Sequence, residues 1–507
     1  MKTKTSIISV IASAILFTLL FYKHPVGLNL LLFELVYLTW VVAVSRLNLR
    51  NKNMATAFAG LILTAVFTVF TYSTFVYVIN ILTLMIFTGM LIHQNTKSYV
   101  NAFLFSLTNI WISQIRFFSL PAGSNSGQKH DTKSLHRLLK YAIPVIIIFI
   151  FIVLYRNSNP VFNKMIVGFE NGVSDFFDFV YRNLNFLLIG TFLLGLLVSI
   201  YLLLPGSNKA ILGIEDNATD LLKRQKSRFF RIFKTTGLRN EYKAGVFLLL
   251  ALNMLILIVN VIDIYWVWFN FTWNGQYLKQ FVHQGTYLLI LSILVSISIV
   301  LYFFRHNINY YSKNTFLKHL SYIWLAQNAG LAVSVGIRNF WYIYYYALAY
   351  KRIGVIIFLI LTLVGLYTVY IKVREKRTAF YLYRVNAYAM YIVLVVASII
   401  NWDVIIARYN FSQASRSYLH FDFMANLSDK SLPFIDHSLA EMQRYDSTNK
   451  TNFPNEVAVY MSPTTYCTAI EQRKVEFKKR WEAKSFLSWN YPENKAYYKL
   501  FKHKPTL

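Results

Sequence analysis

The sequence predicts an all-α, polytopic helical membrane protein with about eleven transmembrane helices and a small helical extracytoplasmic C-terminal domain. Three observations predict it. Apolar runs of bilayer-spanning length recur along most of the 507 residues, which are 56% hydrophobic and 14% charged, with a mean hydropathy of +0.43. Basic residues collect in alternate connecting segments. Beyond about residue 401 the apolar runs stop, and acids, bases and prolines mix.

A spanning helix takes about 20 mostly apolar residues to cross roughly 30 Å of hydrocarbon, because backbone groups left unpaired in lipid cost several kcal/mol each. The first run, 6–22, follows Lys2 and Lys4. Its Ala12-Ser13-Ala14 resembles a signal-cleavage site, but the triplet lies inside the run and a second span follows at once, so the segment reads as an uncleaved helix. Further spans are expected at 27–45, 55–72, 75–93, 141–155, 185–204, 244–261, 286–304, 321–347, 353–371 and 378–400. The segment 100–120 carries Asn101, Asn109, Gln114 and Arg116, so hydropathy alone does not place it.

Charge places it. Lys and Arg number 51 against 22 Asp and Glu, a net +29 that in a soluble chain would point to nucleic acid. Here the excess is read as topology, with no nucleic-acid partner expected. With the N-terminus inside, the cytoplasmic segments hold Arg46, Arg50 and Lys52; 97–140; 209–243; Arg305, Lys313 and Lys318; and Lys372, Arg374, Lys376 and Arg377. The opposite segments are poor in charge or balanced, Arg156, Lys164 and Arg182 facing Glu170, Asp175 and Asp178. A spanning 100–120 would put basic segments on both faces, so it is read as interfacial or re-entrant. An odd number of spans leaves the C-terminus outside the cytoplasm. Within 221–233, Phe229, Phe230 and Ile232 stand among cations, a pattern that suits anionic lipid at the cytoplasmic face as well as simple topology charge.

The expected division is therefore a multispan domain, 1–401, and an outer helical domain, 402–507. In the latter, apolar residues return every three or four positions through 415–427, 434–445 and 466–486, with Ser428 and Asp429 as turn and cap before Pro433. Aromatics crowd at span ends, as in Trp341-Tyr342-Ile343-Tyr344-Tyr345-Tyr346, an interfacial belt. The single cysteine, Cys467, excludes an intrachain disulfide framework and a Cys-rich metal cluster. No phosphate loop, zinc helix or nucleophile elbow occurs, and neither metal nor cofactor is expected.

Ionisable and amide side chains inside spans are functional candidates because burying them in lipid is costly. Glu34 lies in the second span, and Gln327, Asn328 and Arg338 share another. Arg338 falls on about the same face as the amides, some three turns on, where it reaches a partner or snorkels to the interface. Asn253, Asn260 and Asp263 follow a further helix, where interhelical hydrogen bonding is expected. No chain of acids and histidines traces a proton relay.

More specific signals stand in the last third: Arg338 to Tyr342; Tyr346 to Lys351-Arg352; Asn401-Trp402-Asp403 with Ala407-Arg408-Tyr409-Asn410; Asp422 to Pro433; and Ser488-Trp489-Asn490 with Ala496. This succession resembles a family of polytopic bacterial membrane proteins classed as a domain of unknown function of the 4153/4173 type, over roughly the latter two thirds of the chain. The resemblance implies a multispan region with an extracytoplasmic tail and no assigned reaction. The chain departs from the pattern at Ala347-Leu348-Ala349-Tyr350, where Tyr-Gly-Leu-Thr is usual, and at Lys430-Ser431, where Asp-Ala is.

Arg338, Lys351, Arg352, Asn401, Asp403 and Asn410 are expected near one outer interface, where a cation and Asp403 dock the tail onto the bundle as the roof of a polar vestibule. The competing reading has Asn401 and Asp403 capping the chain's exit and Lys351 and Arg352 meeting headgroups. The function expected is non-catalytic binding of a ligand or envelope partner at the outer face. Two alternatives stand beside it: a secondary transporter with a midplane site of Glu34, Gln327 and Asn328, and a membrane-bound enzyme acting on envelope substrates through Asp403, Asp422 or Asp429.

Overall fold

The computed structural model describes residues 3–44, 47–119, 144, 148, 151–153, 155–183, 185–224, 235–271, 275–305, 307–454 and 461–502. Among them no strand occurs, and the isolated bridge joins Leu221 to Arg377. The helices are α1 (Thr3–Phe21), α2 (Leu28–Ala43), α3 (Lys52–Phe70), α4 (Thr74–Ile92), α5 (Tyr99–Ser119), α6 (Pro160–Asn183), α7 (Phe186–Leu203), α8 (Lys209–Asn217), α9 (Thr235–Asp263), α10 (Gly275–Phe303), α11 (Thr315–Tyr346), α12 (Tyr350–Glu375) and α13 (Ala379–Ser398). The C-terminal segment adds α14 (Trp402–Ser412), α15 (Phe421–Ala425), α16 (Leu432–Ile435), α17 (Leu439–Asn452), α18 (Pro463–Glu482) and α19 (Tyr491–Tyr497).

Among the described residues seven helices are long and apolar enough to cross a bilayer: α3, α4, α7, Leu238–Phe269 (most of α9 and the π-helical turn that extends it), α11, α12 and α13. Ile7–Phe21 of α1, the whole of α2 and Tyr287–Phe303 of α10 are apolar but shorter. Helix α5 covers residues 100–119 of the uncertain segment; at 21 residues it has the length but is not among the seven apolar enough. The expected span 141–155 and the basic stretch 221–233 lie largely outside the described residues.

The chain forms two compact units, Met1–Pro25 with Asn109–Gly206, and Val26–Thr108 with Ser207–Leu507. In the first, α1 packs along α7, and a Cβ at Gly195 would stand 2.8 Å from the Phe17 ring. Ser199 donates to the Ser13 hydroxyl at 2.9 Å. The second half of α5 donates from Asn109, Gln114 and Arg116 to the carbonyls of Tyr201, Leu197 and Pro205 at 2.9, 3.0 and 2.9 Å. Three of the polar residues that lower its hydropathy thus bond to backbone carbonyls in the last two turns of α7 and just past its end.

In the second unit, α3 packs on α4, α11 on α9, α10 and α12, and α12 on α13. Leu249, Ile293, Val300, Trp324, Val335, Val369 and Val373 are buried in one cluster. A second cluster, with Ile406, Phe421, Met424, Leu432, Ile435, Met442, Tyr466 and Phe477, is the core of the C-terminal helices. Caps set their starts: Ser438 and Glu441 form a reciprocal capping box on α17, and Ser462 caps α18 with Pro463 in its first turn.

Connections of this unit gather at two ends. At one, Thr71 donates to the Ile399 carbonyl at 2.9 Å, and Tyr418 N–H reaches the Tyr345 carbonyl at 2.8 Å, so the C-terminal helices lie over the turns α3–α4 and α11–α12 and the exit of α13. At the other, the Lys97 N–H meets Glu215 at 2.5 Å, Leu222 N–H meets the Lys376 carbonyl at 2.9 Å and Arg384 pairs with Asp220 at 2.7 Å.

Candidate functional site

The site begins at the turn between α11 and α12. Ala347 caps α11 at φ 62° and ψ −170°, a region that side chains rarely adopt and that persists only when neighbours hold it. They do: Asn410 of α14 accepts from the Leu348 N–H at 2.7 Å and donates to the Leu348 carbonyl at 3.0 Å. Arg352 donates to the carbonyls of Tyr346, at 2.6 Å, and Ala347, with its guanidinium 4.2 Å from the centre of the Tyr342 ring. Lys351 is exposed. Two of the expected residues, Asn410 and Arg352, therefore clamp the backbone of this turn.

Asp403, in the first turn of α14, lies against Lys430 with Nζ and Oδ2 2.7 Å apart. The lysine side chain is 1% exposed and also donates to the carbonyls of Thr71 and Tyr72, both at 3.0 Å. Asp403 accepts from Ser428 at 2.6 Å and from Tyr350. Burial alone would raise the Asp403 carboxyl, but the Lys430 ammonium and the two hydroxyls outweigh it and hold it below the usual carboxylate range. One buried ion pair thus fastens α14, the 428–431 turn, the start of α12 and the α3–α4 turn together.

Beside this pair is a cavity of about 770 Å³ between the 72–77 segment and the C-terminal helices. Asp403, Asp429 and Glu493 line it, together with Lys430, Arg473 and Arg480. Asp429 accepts from Arg473 at 2.6 Å and from Arg480, and Arg473 also donates to the carbonyls of Leu427, at 2.6 Å, and Ala425. Glu493 pairs with Lys484 at 2.6 Å. Asp422 stands apart, accepting the Met461 N–H at 3.2 Å. Asn401 begins α14 without a side-chain cap bond.

The residues inside the spans have other partners. Arg338 forms a buried ion pair with Asp263, joining α11 to α9. Gln327 donates to Asn253 at 3.2 Å and accepts through its carbonyl from Asn260 at 3.0 Å, while Asn328 donates to the Trp324 carbonyl of its own helix at 2.8 Å. Glu34, 1% exposed, accepts from Asn80 of α4 at 3.0 Å. The carboxylate and the amides of the supposed midplane site therefore answer to different helices. Among the described residues no group of three His, Cys, Asp or Glu could hold a metal ion.

Sequence reasoning missed Lys430, Arg473, Arg480 and Glu493. The two arginines stand seven positions apart on α18, about two turns and hence one face, a spacing visible in the sequence. Lys430 was visible as a departure from the family pattern, but nothing local pairs it with Asp403, 27 positions away.

Seven helices able to cross a bilayer among the described residues are the architecture of a multispan helical membrane protein. The chain belongs to the family described as Domain of unknown function (DUF4153), whose model matches residues 58–438. The match takes in Asp403, Asp429 and Lys430 and stops before Arg473, Arg480 and Glu493. No curated protein and no solved structure gives a significant match.

Proposed function

We propose that this protein is a non-catalytic component of the bacterial inner membrane that binds a polar ligand or an envelope partner in the cavity under its C-terminal helices. In this reading the chain crosses about eleven times, with the N-terminus and the basic connections in the cytoplasm, against anionic lipid, and residues 402–507 form an outer domain. The observation that carries it is the cavity of about 770 Å³ lined by charges of both signs. Such a lining offers donors and acceptors to a polar ligand, and its fixed ion pairs hold the walls in place. The same pairing argues against the enzyme: Asp403 and Asp429 are each engaged by a cation, which suits anchoring better than proton transfer.

Native mass spectrometry of the protein purified in mild detergent tests the proposal. Wild type should retain a small-molecule adduct that Thr74→Trp, which projects a ring into the cavity from the start of α4, loses. Identical adduct patterns in the two proteins, or none in either, would remove the ligand and leave the cavity as packing.

A further inference from the structure

A second hollow, of about 270 Å³, also has Lys430 in its wall. Its apolar part is made by Phe70, Ile405, Pro433, Phe434 and Tyr491, and its charged part by Arg408, Lys495 and Lys499 beside Lys430. No acidic residue lines it. Lys430 is already neutralised by Asp403, whereas the other three cations form no ion pair among the described residues. Arg408 and Lys499 stand over the Phe434 ring at 4.2 and 4.3 Å, and Lys495 lies 5.9 Å from the centre of the Tyr491 ring. Aromatic faces thus hold the cations at the rim while leaving them unneutralised.

Depth within the membrane identifies the occupant. Phe70 is the last residue of one spanning-length helix, and Asn401, also in the lining, follows another that ends at Ser398. The mouth is therefore level with the ends of two spans, where headgroups sit. Phe70 and Ile405 are 47% and 40% exposed, continuing the apolar surface of the bundle up to the cations. A hollow of this size takes a headgroup, with the acyl chains left outside along that surface.

We infer that this hollow binds the headgroup of an acidic phospholipid, its phosphate meeting Arg408, Lys495 and Lys499 and its chains lying over Phe70 and Ile405. The site is separate from the ligand cavity, and its lipid chemistry does not depend on what that cavity binds. It also lies at the end opposite the strongly basic connections, so positive charge placed for topology does not account for it.

The test uses the full-length protein in mixed micelles containing phosphatidylglycerol or phosphatidylcholine, with bound lipid read by native mass spectrometry. Wild type should retain phosphatidylglycerol over phosphatidylcholine, and the triple variant Arg408→Gln, Lys495→Gln, Lys499→Gln should lose at least about tenfold in phosphatidylglycerol affinity. Equal retention of both lipids, or no loss in the triple variant, overturns the proposal; so does displacement of the lipid by millimolar inorganic phosphate, which would make this a free-anion site. Should the triple variant misfold, Lys495→Gln alone, at an exposed position, carries the comparison: a fewfold loss supports the site and none overturns it.

Discussion

At the scale of residues, the charges near the α11–α12 turn were legible as a group but not as pairs. Sequence places Arg338, Arg352 and Asp403 within reach of one interface, and docking through an Asp403–arginine pair follows naturally. The folded chain uses Arg338 for Asp263 and Arg352 for two carbonyls, leaving Asp403 to Lys430. Which cation a carboxylate meets depends on tertiary packing that no local pattern encodes. The pair makes a direct prediction. Lys430→Met should cost about 3–5 kcal/mol in an SDS unfolding titration, because it strands a buried carboxylate as well as two carbonyls. The Asp403 pKa is lower in the folded than in the unfolded protein, so its stabilisation is complete above the unfolded value of about 3.9 and is lost as pH falls through the folded value. Asp403→Asn should remove that acid-dependent loss, and an unaltered pH profile would separate the carboxylate from the docking.

At the scale of elements, the spans were the most legible feature. Ten of the expected segments fall on helices, because a run of about 20 apolar residues admits few other structures. Their ends were less legible, since hydropathy stops at the first charge while backbone hydrogen bonds do not. Helix α11 begins at Thr315, six residues before its apolar run, and α9 continues as a π-helical turn to Phe269. In the C-terminal segment the pattern 434–445 straddles a break that Ser438 and Glu441 impose by capping α17, a signal present in the sequence as Ser-x-x-Glu. The helix α14 was missed, because Asn401 and Asp403 read as the chain's exit. Docking between elements has its own test at Gly27. The Leu28 N–H donates to the Trp489 carbonyl at 3.1 Å, and a Cβ on Gly27 would stand 2.5 Å from the Ser488 backbone carbonyl carbon. Gly27→Ala should therefore push the 485–489 turn away from α2, destabilising the contact by about 1–3 kcal/mol. Hydrogen exchange should rise several-fold in a peptide covering that turn; unchanged exchange would mean the contact is not close in solution.

At the scale of the whole molecule, the two ends of the larger unit differ in kind. One gathers the short turns at Thr71–Ser73 and Ala347–Ala349 and the exit at 399–401, over which the C-terminal helices lie. The other gathers the connections carrying Lys97, Lys209, Arg305, Lys313 and Lys376. Contacts across each end, such as Lys430 to Thr71 at one and Leu222 to Lys376 at the other, sort these connections without reference to charge. The cation count had sorted them the same way using charge alone. Two arguments with no shared premise thus divide the connections of the larger unit alike, and the proposed orientation takes the basic end as the cytoplasmic one. Single cysteines in a Cys467→Ser background check it. Asn217 and Ser447 are exposed, on α8 and α17. An impermeant maleimide added to spheroplasts should label Ser447→Cys and spare Asn217→Cys until the membrane is opened. Labelling of both from one side would break the division into two ends, whereas the reverse pattern would keep it and invert the protein, carrying the cavity and the lipid site to the cytoplasmic face.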